Sequence, residues 1–195
     1  QKKNKFGLIS VDPEGGGAAY EHGIATYALG EMYALARLGS KSLPGMREAF
    51  ESGVQIIIEN QNDTGGWDYY GRNLSQGKKG SKRNDLSVSG WNYQALKAAK
   101  LSGLNIPNLH KAIDKCVKYL ESTQTKDGGF GSANREGGYN QWNLTGVSTL
   151  GLQTLGHGKT AAITKGIRWA SDFHHKEPPI WSNVNLYAWY YYAQT

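Results

Sequence analysis

The chain has 195 residues, enough for one domain that buries well over half of its unfolded surface. Its net charge of +6 admits anionic partners but reads most simply as a solubilising surface. No apolar run approaches the roughly 20 residues of a bilayer-spanning helix, so no transmembrane segment is expected. Gly is abundant at 26 residues without low complexity, which predicts many tight turns, and Trp and Tyr supply 6 and 12 aromatic rings.

Residues 1–20 read as an extended N-terminal segment of a single domain spanning 1–195. "QKKNKFG" has no apolar h-region and opens on Gln1. The expectation is a processed or trimmed chain, or an excerpt of a longer one. A secreted or periplasmic location is compatible with this, and the compartment stays open.

Three segments of low charge then align: "HGIATYALGEM" from His22, "SGWNYQALKAA" from Ser89 and "TGVSTLGLQTL" from Thr145. Gly23, Gly90 and Gly146 coincide, as do Ala28, Ala95 and Gly151, and then Leu29, Leu96 and Leu152. Small residues at fixed positions beside large apolar ones predict inner helices approached by neighbours on more than one side. Each is followed by a more amphipathic segment, from Pro44, Pro107 and Lys159 respectively. Proline opening the first two suits the first turn of a helix. Met46, Phe50, Val54, Ile57 and Ile58 keep helical spacing in the first. Ile113, Cys116, Val117 and Leu120 share a side in the second, where the single cysteine excludes an internal disulfide and reads as a small core residue. "NLYAWYYYAQT" from Asn185 reads as a fourth inner helix, cut short. About seven helices are predicted.

The outer helices end in "QNDTGGW" from Gln61 and "QTKDGGF" from Gln124. Gly65, Gly66, Gly128 and Gly129 allow the chain to leave a helix through conformations closed to other residues. Trp67 and Phe130 can then pack back over the helix end, while the Gln61 and Gln124 amides tie down loose backbone groups. A structural clamp is the simpler role for these residues.

With these stretches on alternating helices, the sequence resembles the terpenoid cyclase and protein prenyltransferase superfamily. "NQNDTGGWDYYG", "NDLSVSGWNYQALKAAKLSGL" and "NLYAWYYYAQT" are similar to a group of uncharacterised bacterial proteins with prenyltransferase and squalene-oxidase-type repeats. The resemblance covers most of the chain from about Glu21. It implies an all-α fold of antiparallel hairpins, a partial α/α toroid with fewer hairpins than a closed one. It also implies a central cavity whose mouth lies at the N-terminal ends of the inner helices.

Asp85 lies where an inner helix should begin. The resemblance to squalene cyclases would put an acidic cluster near it, but the stretch reads Asp85, Leu86, Ser87, Val88. An unactivated alkene requires an exceptionally strong acid, so a helix cap is the simpler role for Asp85. The aspartate, cysteine and histidine of a prenyltransferase zinc site have no counterpart set here, and the five histidines lack ligand spacing, so no metal and no cofactor are expected. His22, at the start of an inner helix, should face the mouth and is, with Asp85, a weak candidate for acid–base work. The thioester signature, a nucleophile elbow and a phosphate-binding loop are all missing from the sequence.

Binding has more support. "GRNLSQGKKGSKRND" carries Arg72, Lys78, Lys79, Lys82 and Arg83 and would lie over the mouth beside helix N-termini that favour anions. Tyr69, Tyr70, Trp91, Tyr139 and Trp142 could line it with amphipathic rings. The sequence reading therefore favours a non-catalytic module. Its ligand would be anionic or amphipathic: an isoprenoid, a lipid, an acidic glycan or a protein. A cyclase- or prenyltransferase-like enzyme acting on an isoprenoid is the alternative. Sparse basic residues without a recognition motif argue against specific nucleic-acid binding.

Overall fold

The computed structural model describes residues 7–41, 43–69, 83–132, 140–178 and 180–195. Among them the protein is all-α, with seven α-helices: α1 (Ala18–Leu38), α2 (Met46–Glu59), α3 (Leu86–Ser102), α4 (Leu109–Ser122), α5 (Gln141–Leu152), α6 (Ala161–Lys176) and α7 (Leu186–Tyr192). No described helix is long and apolar enough to cross a membrane. The chain divides into two compact units, Gln1–Cys116 and Val117–Thr195, and the division falls inside α4.

In the first unit α1 packs on α3, and α2 packs against both. The closeness of α1 and α3 depends on absent side chains. A Cβ at Gly23 would lie 3.3 Å from the Asn92 side chain and backbone, and one at Gly30 only 2.8 Å from the Ala98 Cβ. Phe50, Val54 and Ile57 of α2 are buried at helical spacing, and Val88, Ala95, Leu96 and Ala99 of α3 are fully covered. Burying each large side chain of this set contributes about 1.5–3 kcal/mol.

The helix starts differ from the expectation. Pro44 and Pro107 do not open α2 and α4 but precede them by two residues. The Met46 N–H bonds the Leu43 carbonyl at 3.2 Å, and the Leu109 N–H bonds that of Ile106, also at 3.2 Å. The residues between, Gly45 and Asn108, have φ of 73° and 61°. Proline second and a left-handed residue third are the signature of a type II turn, which proline's fixed φ suits equally well. Similarly, α1 begins at Ala18, four residues ahead of His22. Ala18 and Ala19 are buried and extend the helix backwards to the run of glycines at 15–17.

In the second unit α5 packs with α6 and α7. Its residues from Leu144 to Leu152 are all buried. A Cβ at Gly146 would sit 3.0 Å from that of Tyr191 on α7. The start of α7 is capped by Asn185, whose side-chain oxygen accepts the N–H groups of Tyr187 at 3.0 Å and Ala188 at 3.2 Å. Cys116, on α4 at the end of the first unit, is fully buried, which pushes its thiol well above the usual range.

Candidate functional site

The two glutamine–glycine–aromatic stretches make the same bonds. Gln61 Nε2 donates to the Gly65 carbonyl at 2.8 Å and to that of Ala112, in the first turn of α4, at 2.9 Å. Gln124 Nε2 donates to the Gly128 carbonyl at 2.9 Å and to that of Ala162, in the first turn of α6, at 2.8 Å. Gly65 and Gly128 have φ of 97° and 98°, a conformation that L side chains rarely adopt. The following glycines, Gly66 and Gly129, accept from Asn62 N–H at 2.9 Å and Thr125 N–H at 2.8 Å. Then Trp67 N–H bonds Ser89 Oγ at 3.0 Å, and Phe130 N–H bonds Thr145 Oγ1 at 2.9 Å. Both aromatic side chains are buried, and the indole N–H of Trp67 reaches the Ile57 carbonyl at 2.8 Å. The first stretch ties the start of α3 to the end of α2 and the first turn of α4, and the second ties the start of α5 to the end of α4 and the first turn of α6.

Beyond Trp67, the chain reaches the N-terminal end of α3. The Asp85 N–H returns to the Trp67 carbonyl at 2.7 Å. Asp85 Oδ1 accepts the N–H groups of Ser87 at 2.9 Å and Val88 at 3.0 Å and also bonds the Ser87 hydroxyl. Its other oxygen lies 3.8 Å from Arg83 Nη2, and Arg83 Nε lies 3.7 Å from the buried Asp68 carboxylate. Asp85 is thus a helix cap through Oδ1, with Oδ2 beside a cation.

Around this cap the structure gathers aromatic rings. Tyr69 stacks on Tyr20 with centroids 6.3 Å apart and planes 6° off parallel. Trp91 meets Tyr20 edge-on at 6.3 Å and Tyr27 at 6.5 Å. Burial raises the Tyr20 phenol above its ordinary range, against a hydrogen bond with Trp91 that lowers it. Tyr20, Tyr69 and Trp91 are each half-buried, so part of each ring remains accessible. The sequence reading named Tyr69 and Trp91 but missed Tyr20 and Tyr27. Their spacing of seven residues, two helical turns, was the available signal, since it puts both on one side of α1.

His22 lies in the second turn of α1 and is 2% exposed, instead of standing at an opening. Its Nδ1 accepts the Ile9 N–H at 3.0 Å, so the ring proton resides on Nε2, which donates to the Gly53 carbonyl at 3.0 Å. Burial holds the imidazole below its ordinary value, opposed by the Gly53 bond. Both nitrogens are occupied, which leaves neither for a substrate.

Trp142 belongs to the second unit, in an aromatic stack of its own. Phe173 and Tyr192 stack on it at 4.2 and 4.9 Å, and His174 meets its edge at 4.7 Å. The Tyr192 hydroxyl donates to the Trp142 carbonyl at 2.8 Å. The ring joins α5 to α6 and α7 as packing. Nearby, Asp127 accepts from Gln141 Nε2 at 2.8 Å, from Trp169 Nε1 at 3.0 Å and from the Thr125 hydroxyl. Burial works against its charge, but these bonds outweigh it and hold the carboxyl below its ordinary value.

Tyr70, Arg72, Lys78, Lys79 and Tyr139, also expected to bind ligand, lie outside the described residues. Among the described residues, no group of three or more His, Cys, Asp or Glu side chains converges as a metal site would require.

No protein-family model matches the chain, and no solved structure does. Over 139 residues the chain is 29% identical to the squalene–hopene cyclase of Zymomonas mobilis subsp. mobilis. The match covers 65% of this chain and 18% of that protein, so the similarity reaches only a small part of the cyclase.

Proposed function

We propose that the protein is a non-catalytic binding module built from hairpins of a partial α/α toroid, with Tyr20, Tyr69 and Trp91 holding an amphipathic isoprenoid-type ligand. The stacked and edge-on rings of this group carry the reading. They collect at the N-terminal ends of α1 and α3. Arg72, Lys78 and Lys79, in the sequence joining Tyr69 to Arg83, would supply the cations for an anionic head group. Similarity to a squalene–hopene cyclase favours an isoprenoid over a glycan or a protein.

That same similarity favours a second reading, a cyclase-like enzyme acting on an isoprenoid with Asp85 as its acid. The local chemistry argues for the first. Alkene protonation demands an isolated, proton-donating carboxyl, whereas Asp85 Oδ1 accepts backbone N–H groups and Oδ2 lies beside a guanidinium.

Farnesyl diphosphate, followed by tryptophan fluorescence, tests the first reading. Saturable binding should weaken about five- to tenfold in Tyr69→Ala and Trp91→Ala, the scale of one lost ring contact. Incubation with squalene and analysis of the extract tests the second: a cyclised product that disappears in Asp85→Asn would put the enzyme ahead. Binding of neither probe would sink both.

A further inference from the structure

The bond that fixes His22 has two counterparts. In the alignment of inner helices, His22 occupies the position of Ser89 and Thr145. Ser89 Oγ and Thr145 Oγ1 each accept the N–H of the residue two beyond a left-handed glycine, Trp67 after Gly65 and Phe130 after Gly128. His22 Nδ1 accepts from Ile9, two beyond Gly7, whose φ is 67°. The segment from Gly7 to Val11 therefore enters α1 as the two clamps enter α3 and α5. In sequence, the position four before Gly7 is Lys3 where the clamps have glutamine, and the acceptor is an imidazole where they have a hydroxyl. A hydroxyl accepts at any pH, whereas an imidazole nitrogen accepts only while unprotonated.

The second fastening of the segment also titrates. Glu21 Oε2 accepts from the Ser10 hydroxyl at 2.6 Å and from Val11 N–H at 2.9 Å. These two bonds hold the Glu21 carboxyl below its ordinary value. Gly7 and Ile9 form one wall of an apolar groove of about 530 Å³, whose other walls are Ala25, Leu29 and Met32 of α1 and Ala49 of α2.

We propose that Gly7–Val11 is an acid-released strap, fastened through His22 and Glu21, that bounds this groove at neutral pH and lets go on acidification. Protonating His22 Nδ1 sets two N–H groups against each other at the Ile9 contact, so the bond is lost outright. The ring's polar neighbours are the Ile9 N–H, the Thr26 hydroxyl and the Gly53 carbonyl. Among the charged groups on the elements around it, Glu51 of α2 pairs with Arg47, Asp85 at the start of α3 with Arg83, and Glu21 of α1 with the strap. Asp12, just beyond the strap, bonds the Ser10 hydroxyl through its own N–H.

A histidine whose folded value is depressed contributes stability that is present above its ordinary value of 6.5 and lost as pH falls through the folded one. Glu21, depressed from 4.5, contributes stability that is present above 4.5 and lost as pH falls through its folded value. Loss therefore sets in below 6.5 at His22 and below 4.5 at Glu21.

Amide hydrogen exchange at Ile9 and Val11, corrected for the intrinsic pH dependence of exchange, tests this in the full chain. Between about pH 7.5 and pH 5, protection at Ile9 should fall at least about tenfold while that of buried α3 amides holds. His22→Asn keeps an acceptor near the Nδ1 position without a titrating group, and should hold Ile9 protection flat over that range. Unchanged protection in the wild type, or the same loss in His22→Asn, overturns the strap. Should that variant fail to fold, nitrogen NMR of the wild-type ring decides. Imidazole protonation and Ile9 deprotection should share one midpoint below 6.5. Protonation without deprotection overturns the proposal.

Discussion

The clamp at Trp67 and the clamp at Phe130 share their glutamine bonds, their left-handed glycines and their hydroxyl acceptors, yet they differ in everything that follows. Trp67 carries an indole N–H that bonds the Ile57 carbonyl, and beyond it come an acidic cap, a guanidinium and stacked tyrosines. Phe130 has no such donor, and next to it Asp127 is engaged by Thr125, Gln141 and Trp169. The shared part is backbone satisfaction, which a fold must solve identically each time. The variable part is side chains at helix ends and in loops, where a scaffold can change its chemistry without changing its frame.

The most severe way to break the comparison is to empty a clamp. Trp67→Ala and Phe130→Ala should each cost about 3–5 kcal/mol, measured by urea unfolding. Trp67→Phe sharpens it: this change should cost about 1–2 kcal/mol, because it gives the first clamp the second one's ring and strands the Ile57 carbonyl. Equal stability of Trp67→Phe and wild type would mean that the indole bond is idle. Next come the glutamines. Gln61→Ala removes a buried amide with two acceptors and should cost about 2 kcal/mol, while Gln124→Ala, at a half-buried site, should cost less. A larger loss at Gln124 would reverse that ranking. The smallest effect lies at the feature the second clamp lacks: Asp85→Ala should cost about 1 kcal/mol and Asp85→Asn only a few tenths, since asparagine caps as well. A loss in Asp85→Asn as large as in Asp85→Ala would show that Arg83, more than the cap, gives the aspartate its value.

How much of this was legible in the sequence depended on range. The helices were readable because the spacing of Phe50, Val54 and Ile57 repeats every turn, and the glycines at 65 and 128 were readable because few other residues tolerate that backbone. Pro44 and Pro107 were placed near the correct ends but in the wrong elements, since a fixed φ serves a helix start and a type II turn alike. The burial of His22 could not be read. It depends on Ile9 from the N-terminal segment and Gly53 from α2, neither of which has a periodic relation to it. The pairing of Tyr69 with Tyr20 likewise joins a loop to a helix far back in the chain. Trp142 was visible as an aromatic residue at a helix start, but the stacking of Phe173 and Tyr192 on it comes from two later helices.

The glutamine bridges also bear on the order of assembly. Gln61 finds its second acceptor 51 residues downstream, and Gln124 finds its own 38 downstream. Neither amide can make its second bond until the following helix has formed, so each clamp is completed by the helix after it. On a ribosome this makes maturation directional, and a chain halted before Ala112 would carry a finished α2 whose closing donor still waits in solvent.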